Sequence, residues 1–207
     1  MAKNRQKNEN RANRIIGRRY RYTDDYKVVS ALGGPGSRGK RVIYTAPWTV
    51  LELDEDRWQK VVRALWTLTA LAVVCYVGAF CSVPPPTENR WYAAVLAVGA
   101  FPLAYQVMGA CTLPRTKKPL ERQQYDKSFV RLWHSAVFAF VILCISAVGF
   151  AAYWILGAAG VLKAAPFAGG DAAFAALLVI MAAAELLIRR ICRGIKTDTM
   201  ENSAYSG

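Results

Sequence analysis

Four long runs of apolar residues, nearly free of charge, dominate the chain after residue 60. A helix needs about 20 apolar residues to cross about 30 Å of hydrocarbon, because it rises about 1.5 Å per residue. The runs that meet this length are 61–81, 91–111, 132–156 and 172–188. They lack the amphipathic stripe of a surface helix, and a soluble domain of this size could not bury them all. The sequence therefore predicts an all-α integral membrane protein with four transmembrane helices.

Segments rich in cations alternate with segments poor in cations along the chain, and this pattern indicates the direction of the spans. Fifteen Lys and Arg residues occur up to Arg63, whereas the first loop has only Arg90 and the third loop only Lys163. The cation-rich segments are the middle loop, with Arg115, Lys117, Lys118, Arg122, Lys127 and Arg131, and the tail, with Arg189, Arg190, Arg193 and Lys196. Because cytoplasmic segments retain Lys and Arg, this pattern predicts that both termini and the middle loop lie in the cytoplasm.

The runs divide the chain into three predicted regions. Residues 1–57 form a small, basic cytoplasmic arm, 58–190 the four-helix membrane domain, and 191–207 a cytoplasmic tail. Within the arm, 26–53 has the composition of short strands around a glycine-rich turn, so a β-hairpin is plausible there, with a third strand extending it into a meander. No cleavable signal peptide or glycosylation sequon is evident, and the loops are short. These features favour a bacterial plasma (inner) membrane, with an organelle membrane left open.

One glycine-rich segment, Gly34 to Lys40, fits the G-x-x-x-x-G-K portion of a phosphate-binding loop. The next residue is Arg41, where such a loop needs Ser or Thr for magnesium, and strand-like rather than helical sequence follows. The arm is also too short for a nucleotide-binding sheet. A hairpin loop with cations at its base is the better interpretation, so no cofactor is expected.

Four polar side chains within the spans are the candidate functional residues, because ionisable groups in a bilayer are costly and often face the protein interior. They are Arg63, Gln106, His134 and Glu185. On the predicted topology all four lie toward the cytoplasmic ends of their spans, where Glu185 could exchange protons with His134 or pair with Arg63. The alternative is an interfacial role, in which Arg63 reaches the headgroups and Glu185 pairs with Arg189 at i, i+4.

Pro102 lies within the second run and removes a backbone hydrogen bond, which predicts a kink in that span. Alanines at helical spacing on the second and fourth runs would allow close helix contacts, either within the chain or between copies.

Several classes of function are disfavoured by the sequence. The net charge of +13 falls between and outside the spans, and no nucleic-acid-binding motif accompanies it, so nucleic acid is not an expected partner. His134 is the single histidine and no Cys-x-x-Cys is present, so no metal site is expected. No pairing of a nucleophile with a base is visible, and no catalytic residue is predicted.

The leading prediction is a non-enzymatic multi-pass membrane subunit or scaffold that anchors or regulates a partner through its basic cytoplasmic face. The alternative is a small oligomeric transporter or channel that uses Glu185 near the cytoplasmic side. The expected partners are the lipid bilayer and either another protein or a second copy of the chain. The candidate surface for a partner or for lipid headgroups consists of Arg14, Arg18, Arg19, Arg21, Lys117 and Lys118.

Overall fold

The structure, a computed structural model, describes residues 25–30, 40–82, 91–115, 119–161 and 169–200. The chain divides into two compact units. One, here called the module, comprises the described residues of Met1–Val50, Pro119–Gln123 and Thr197–Gly207. The other, here called the bundle, comprises those of Leu51–Lys118 and Gln124–Lys196. This division follows three-dimensional contacts, so three segments distant in sequence contribute to the module.

Four helical stretches are long and apolar enough to cross a membrane, which confirms the predicted four-span, mainly helical architecture. These stretches are Glu55–Ser82, Ala94–Cys111, Arg122–Ala158 and Gly169–Gly194. The helical elements are α1 Glu55–Ser82, α2 Trp91–Val98, α3 Ala100–Cys111, α4 Arg122–Tyr125, a π-helix Asp126–Val130, α5 Arg131–Ala158 and α6 Gly169–Gly194. Most of them extend beyond the apolar runs; α1 begins at Glu55 and Asp56, where acidic side chains favour a helix amino terminus.

The regular helix of the second span is interrupted at Gly99, three residues before Pro102, where the sequence predicted a kink. Proline has no N–H, so the carbonyl of Val98 loses its usual i+4 donor and the helix cannot run straight through. The chain turns instead through a hydrogen bond from the Gly99 N–H to the Leu96 carbonyl, with an N···O distance of 2.7 Å. The Tyr76 hydroxyl of α1 lies 3.2 Å from the carbonyl oxygens of both Leu96 and Ala97. A side chain of another helix thus satisfies carbonyls exposed by the break.

The third span is one continuous helical stretch formed by α4, the π-helix and α5. It ends at Gly160, which has a φ of +72° that favours glycine. The Gly160 N–H donates to the Gly157 carbonyl and the Val161 N–H to the Leu156 carbonyl, both at 3.0 Å, which is the Schellman pattern of a helix end. The helix therefore stops before Gly160, although the sequence is still apolar there.

Within the bundle, α6 packs against α1 and α5, and α5 also packs against α2 and α3. The backbone carbonyl of Ser82 lies beside Gly170, and a side chain at Gly78 would meet Leu177, so α1 and α6 run antiparallel. Large apolar side chains on the outside of the helices remain exposed, including Val74, Phe101 and Phe138. An exposed apolar surface of this extent is what lipid tails would cover.

The module contains the predicted hairpin. Strands β1 (Tyr26–Ser30) and β2 (Lys40–Tyr44) pair antiparallel, with Tyr26 opposite Tyr44. A third strand, β3 (Trp48–Leu51), is present, but it does not extend the hairpin into a meander, which corrects that expectation. It pairs with β4 (Thr197–Met200), a strand of the tail that the sequence did not suggest.

Candidate functional site

A layer of buried polar side chains crosses the bundle next to its apolar core. One cluster of buried apolar residues reaches Ala72 on α1 and Met181 on α6. One turn further along each helix, Thr69 and Glu185 are buried, and Gln106 of α3 is buried as well. We call Thr69, Gln106 and Glu185 the polar layer. Glu185 and Gln106 each have 0% of their surface exposed, which is unusual for side chains that can be charged or donate several hydrogen bonds.

The side chains of the polar layer are not satisfied by neighbours. Both carboxyl oxygens of Glu185, both amide atoms of Gln106 and the Thr69 hydroxyl have no hydrogen-bonding partner within the described residues. The Gln106 amide is near enough to act on the Glu185 carboxyl, but the two groups do not meet hydrogen-bond geometry. The carboxyl also makes no hydrogen bond to Arg189, so the i, i+4 pair of the interfacial alternative does not form. A buried polar group without a partner is costly, which marks the layer as a candidate site.

The structure brings together two of the four polar residues that the sequence singled out. Gln106 and Glu185 share the polar layer, whereas Arg63 on α1 and His134 on α5 are exposed at the helix surface. The Nδ1 atom of His134 lies 2.8 Å from the Val130 carbonyl, and since a carbonyl can only accept, Nδ1 must carry the hydrogen. His134 is therefore oriented by its own helix and not by Glu185.

An open groove of about 520 Å³ lies at one end of the bundle, and we call it the basic groove. Its polar lining comes from Arg189 and Arg193 of α6 and from His134. Its aromatic lining comes from Phe129 of the π-helix and Trp133 of α5, together with Tyr125. The sequence reasoning did not find this groove. The spacing of Arg189 and Arg193 by one helical turn was visible, but nothing indicated which helix they would face.

In the module, the segment before α1 is joined to the segment before α4. Thr49 and Leu120 exchange two backbone hydrogen bonds, each with an N···O distance of 2.9 Å. The Tyr26 hydroxyl donates to the Glu121 carboxylate at 2.6 Å, and the Tyr44 hydroxyl accepts from the Arg122 backbone N–H at 3.0 Å. These contacts give the hairpin a neighbour to pack on, which an isolated hairpin needs.

The two tyrosines of the module are held in their neutral form. Desolvation, followed by the hydrogen bond to Glu121, raises the pKa of Tyr26 well above its ordinary value of 10.0. Desolvation also raises the pKa of Tyr44, although the N–H donated by Arg122 acts in the opposite direction. Tyr26 and Tyr44 pack edge to face, with ring centroids 5.3 Å apart.

The predicted surface for a partner or lipid headgroups lies outside the described residues. This applies to Arg14, Arg18, Arg19, Arg21, Lys117 and Lys118, and to the glycine-rich turn of the hairpin. Within the described residues, no group of three His, Cys, Asp or Glu side chains is placed to hold a metal ion.

Comparison of the chain with protein-family models, with curated proteins and with solved structures found no match.

Proposed function

We propose that this chain is a non-enzymatic, multi-pass membrane subunit that holds a protein partner on the cytoplasmic side of the membrane. The observation that carries the proposal is the module, in which three segments separated by the spans fold as one unit. A chain with four spans returns to the side where it began after the second and the fourth span. The module therefore supports the topology predicted from the cations, in which the arm, the middle loop and the tail share one side.

Both clusters of the predicted basic surface are close in sequence to segments of the module. Arg21 precedes Tyr26 by five residues, and Lys118 precedes Leu120 by two. Cations of the arm and of the loop thus flank the module in sequence, and we take the module as the platform for the partner. An acidic surface of a partner protein is the complement that such a platform favours.

Copurification tests this proposal directly. The protein, tagged at its carboxyl end, is extracted gently from its native membrane, and the proteins that accompany it are identified and quantified. The test variant replaces Arg18, Arg19, Lys117 and Lys118 by Gln. The control replaces the same number of cations away from the two clusters: Arg57, Lys60 and Arg63 on α1 and Arg190 on α6, all of which are exposed.

A stoichiometric partner that is lost from the test variant and kept by the control is the expected result. If the native protein purifies alone or only with copies of itself, the scaffold proposal fails. Equal loss from both variants also contradicts it, because the charge would then act without regard to the module.

The loss of folding stability at alkaline pH tests whether the contacts of the module form as described. With a raised pKa, folded Tyr26 keeps its proton above pH 10.0, where an unfolded tyrosine loses it. The contribution of Tyr26 is therefore fully present below pH 10.0 and declines as the pH rises toward its raised pKa. The Tyr26→Phe variant should lose less stability in alkali than the native protein, as followed by tyrosinate absorbance and thermal unfolding. An identical alkaline decline in both would contradict the hydrogen bond between Tyr26 and Glu121.

A small oligomeric transporter or channel is the second candidate, and the polar layer favours it. A carboxyl that is fully buried among the spans and has no fixed partner can take up and release a proton or a cation. Reconstitution in liposomes should then show flux that Glu185→Gln abolishes. Glu52→Gln, which neutralises an exposed carboxylate outside the helices, should leave the flux unchanged. Equal flux with Glu185→Gln, or none from the native protein, removes this candidate.

A further inference from the structure

The basic groove carries two cations that no described residue neutralises. Arg189 and Arg193 are one turn apart on α6, so both side chains leave the same face of the helix. Among the described residues neither arginine forms an ion pair, and none of the residues that line the groove is acidic. Two adjacent guanidinium groups with no counter-charge favour an anion that can accept hydrogen bonds from both, such as a phosphate.

The groove is amphipathic, since aromatic rings and cations share its lining. Trp133 and Tyr125 are side chains of the kind that favour the boundary between lipid tails and water. Deeper along the same helices, apolar side chains continue from the groove. Phe138 follows His134 by one turn on α5 and is 63% exposed, and Leu186 precedes Arg189 by about one turn on α6 and is 44% exposed. A molecule with an anionic headgroup and apolar tails could therefore contact the arginines with its headgroup and the apolar side chains with its tails.

The π-helix contributes to the shape of the groove. Its wider turn leaves the Lys127 carbonyl available, and the Thr112 hydroxyl at the end of α3 lies 2.8 Å from this carbonyl and 2.8 Å from that of Gly109. Phe129 of the π-helix is held from the other side by Trp58, with ring centroids 5.8 Å apart, and by Tyr125, at 5.7 Å. One wall of the groove is therefore fixed by contacts within the bundle.

We propose that the basic groove binds the phosphate headgroup of an anionic phospholipid. Arg189 and Arg193 hold the phosphate, the rings of Trp133 and Tyr125 pack against the glycerol region, and the acyl chains lie along Phe138 and Leu186. On the predicted topology this end of the bundle faces the cytoplasmic leaflet, and anionic lipids attract cations there. The inference does not depend on the proposed scaffold function, because it concerns a groove of the bundle and not the module.

Native mass spectrometry of the purified protein tests the site, using mixed micelles that contain equal amounts of phosphatidylglycerol and phosphatidylcholine. The native protein should retain one phosphatidylglycerol in preference to phosphatidylcholine. The test variant is Arg189→Gln with Arg193→Gln. The matched control, Arg190→Gln with Lys196→Gln, removes the same charge at exposed positions that do not line the groove.

The test variant should lose affinity for the anionic lipid by about thirtyfold, taking about fivefold for each cation near the membrane surface. The control should retain it within about twofold. Arg193 is exposed, so Arg193→Gln alone, with an expected loss of about fivefold, serves if the double variant does not fold. Equal retention of both lipids, or equal losses in the test variant and the control, overturns the proposal.

A second arm separates a lipid from free phosphate. Inorganic phosphate, added in the same experiment at a concentration equal to that of the lipid, should not displace phosphatidylglycerol, because it cannot occupy the apolar faces beside Phe138 and Leu186. Complete displacement would show that the groove binds phosphate alone, and the assignment to a phospholipid would then be wrong.

Discussion

The half of the bundle around Phe174 and the half around Glu185 belong to the same four spans, yet their interiors differ. Around Phe174 the rings of Tyr92 and Phe150 lie within 5.4 Å, centroid to centroid, and the backbone of α6 approaches α1 at Gly170. Around Glu185 the buried atoms include a carboxyl and an amide without partners. The first half, here called the aromatic half, is packed mainly through rings, although it also buries Asp171 and Ser146, whereas the second, here called the polar half, buries a carboxyl and an amide without partners. We therefore expect the packing of the aromatic half to contribute more to stability than the unpaired groups of the polar half.

The largest change in the free energy of unfolding is expected from removing an aromatic ring around Phe174. Phe174→Ala removes a ring that is 1% exposed and leaves a cavity between Tyr92 and Phe150. The free energy of unfolding should fall by about 3 kcal/mol. Unfolding in mixed detergent micelles measures it, and Phe138→Ala, at a ring that is 63% exposed, is the control. Equal losses from both variants would mean that the aromatic contacts do not support the fold.

The close approach of α1 and α6 gives the next effect. In Gly170→Ala the new Cβ would lie 2.7 Å from the backbone carbonyl oxygen of Ser82, so the two helices must separate slightly. We expect the free energy of unfolding to fall by about 2 kcal/mol. Gly169→Ala is a matched control, because a Cβ there meets nothing within 4 Å. If the two variants behave alike under the same unfolding assay, the helices are not in contact at Gly170.

Changes in the polar half should act in the opposite direction. Gln106→Leu replaces a buried amide without a partner by an apolar side chain of similar size, so the free energy of unfolding should rise by about 1.5 kcal/mol. The exposed Gln59 provides the control, since Gln59→Leu removes an amide that water already solvates. A clear loss of stability in Gln106→Leu would show that the amide has a favourable interaction in the membrane, and the contrast between the two halves would then disappear.

The smallest effect concerns the break in the second span. Tyr76→Phe leaves the ring in place but removes the hydroxyl that serves the carbonyls of Leu96 and Ala97. The loss should be about 1 kcal/mol, the typical net value of one hydrogen bond. Tyr105→Phe is the comparison, because that ring is exposed and its contact with Arg131 involves the ring face. A stability of Tyr76→Phe equal to that of the native protein would mean that water or lipid headgroups satisfy the same carbonyls.

The sequence predicted the spans and the kink because both depend on local physics. The number of apolar residues sets whether a helix can cross a bilayer, and Pro102 removes its hydrogen bond whatever surrounds it. The sequence does not indicate which face of a span is buried, because the helices are apolar on nearly all sides. The sequence therefore grouped Arg63, Gln106 and His134 with Glu185, although of these three only Gln106 shares its buried layer.

Long-range pairing explains what the sequence could not indicate. Thr69 joined the polar layer only through the packing of α1 against α6, and β3 was expected beside β2, its neighbour in the chain. The tail segment Thr197–Met200 has no alternation of apolar and polar residues, and all four of its residues are exposed. Its strand conformation comes from its partner and not from its own composition.

The pairing of β3 with β4 has a consequence for biosynthesis. Strand β3 precedes the first span and β4 follows the fourth, so the pair can close only after every helix between them has been inserted. Until then the edge of β3 that faces β4 has unpaired backbone groups, and such an edge can pair with another chain. The two strands can thus pair only in a chain whose four spans leave β3 and β4 on the same side of the membrane.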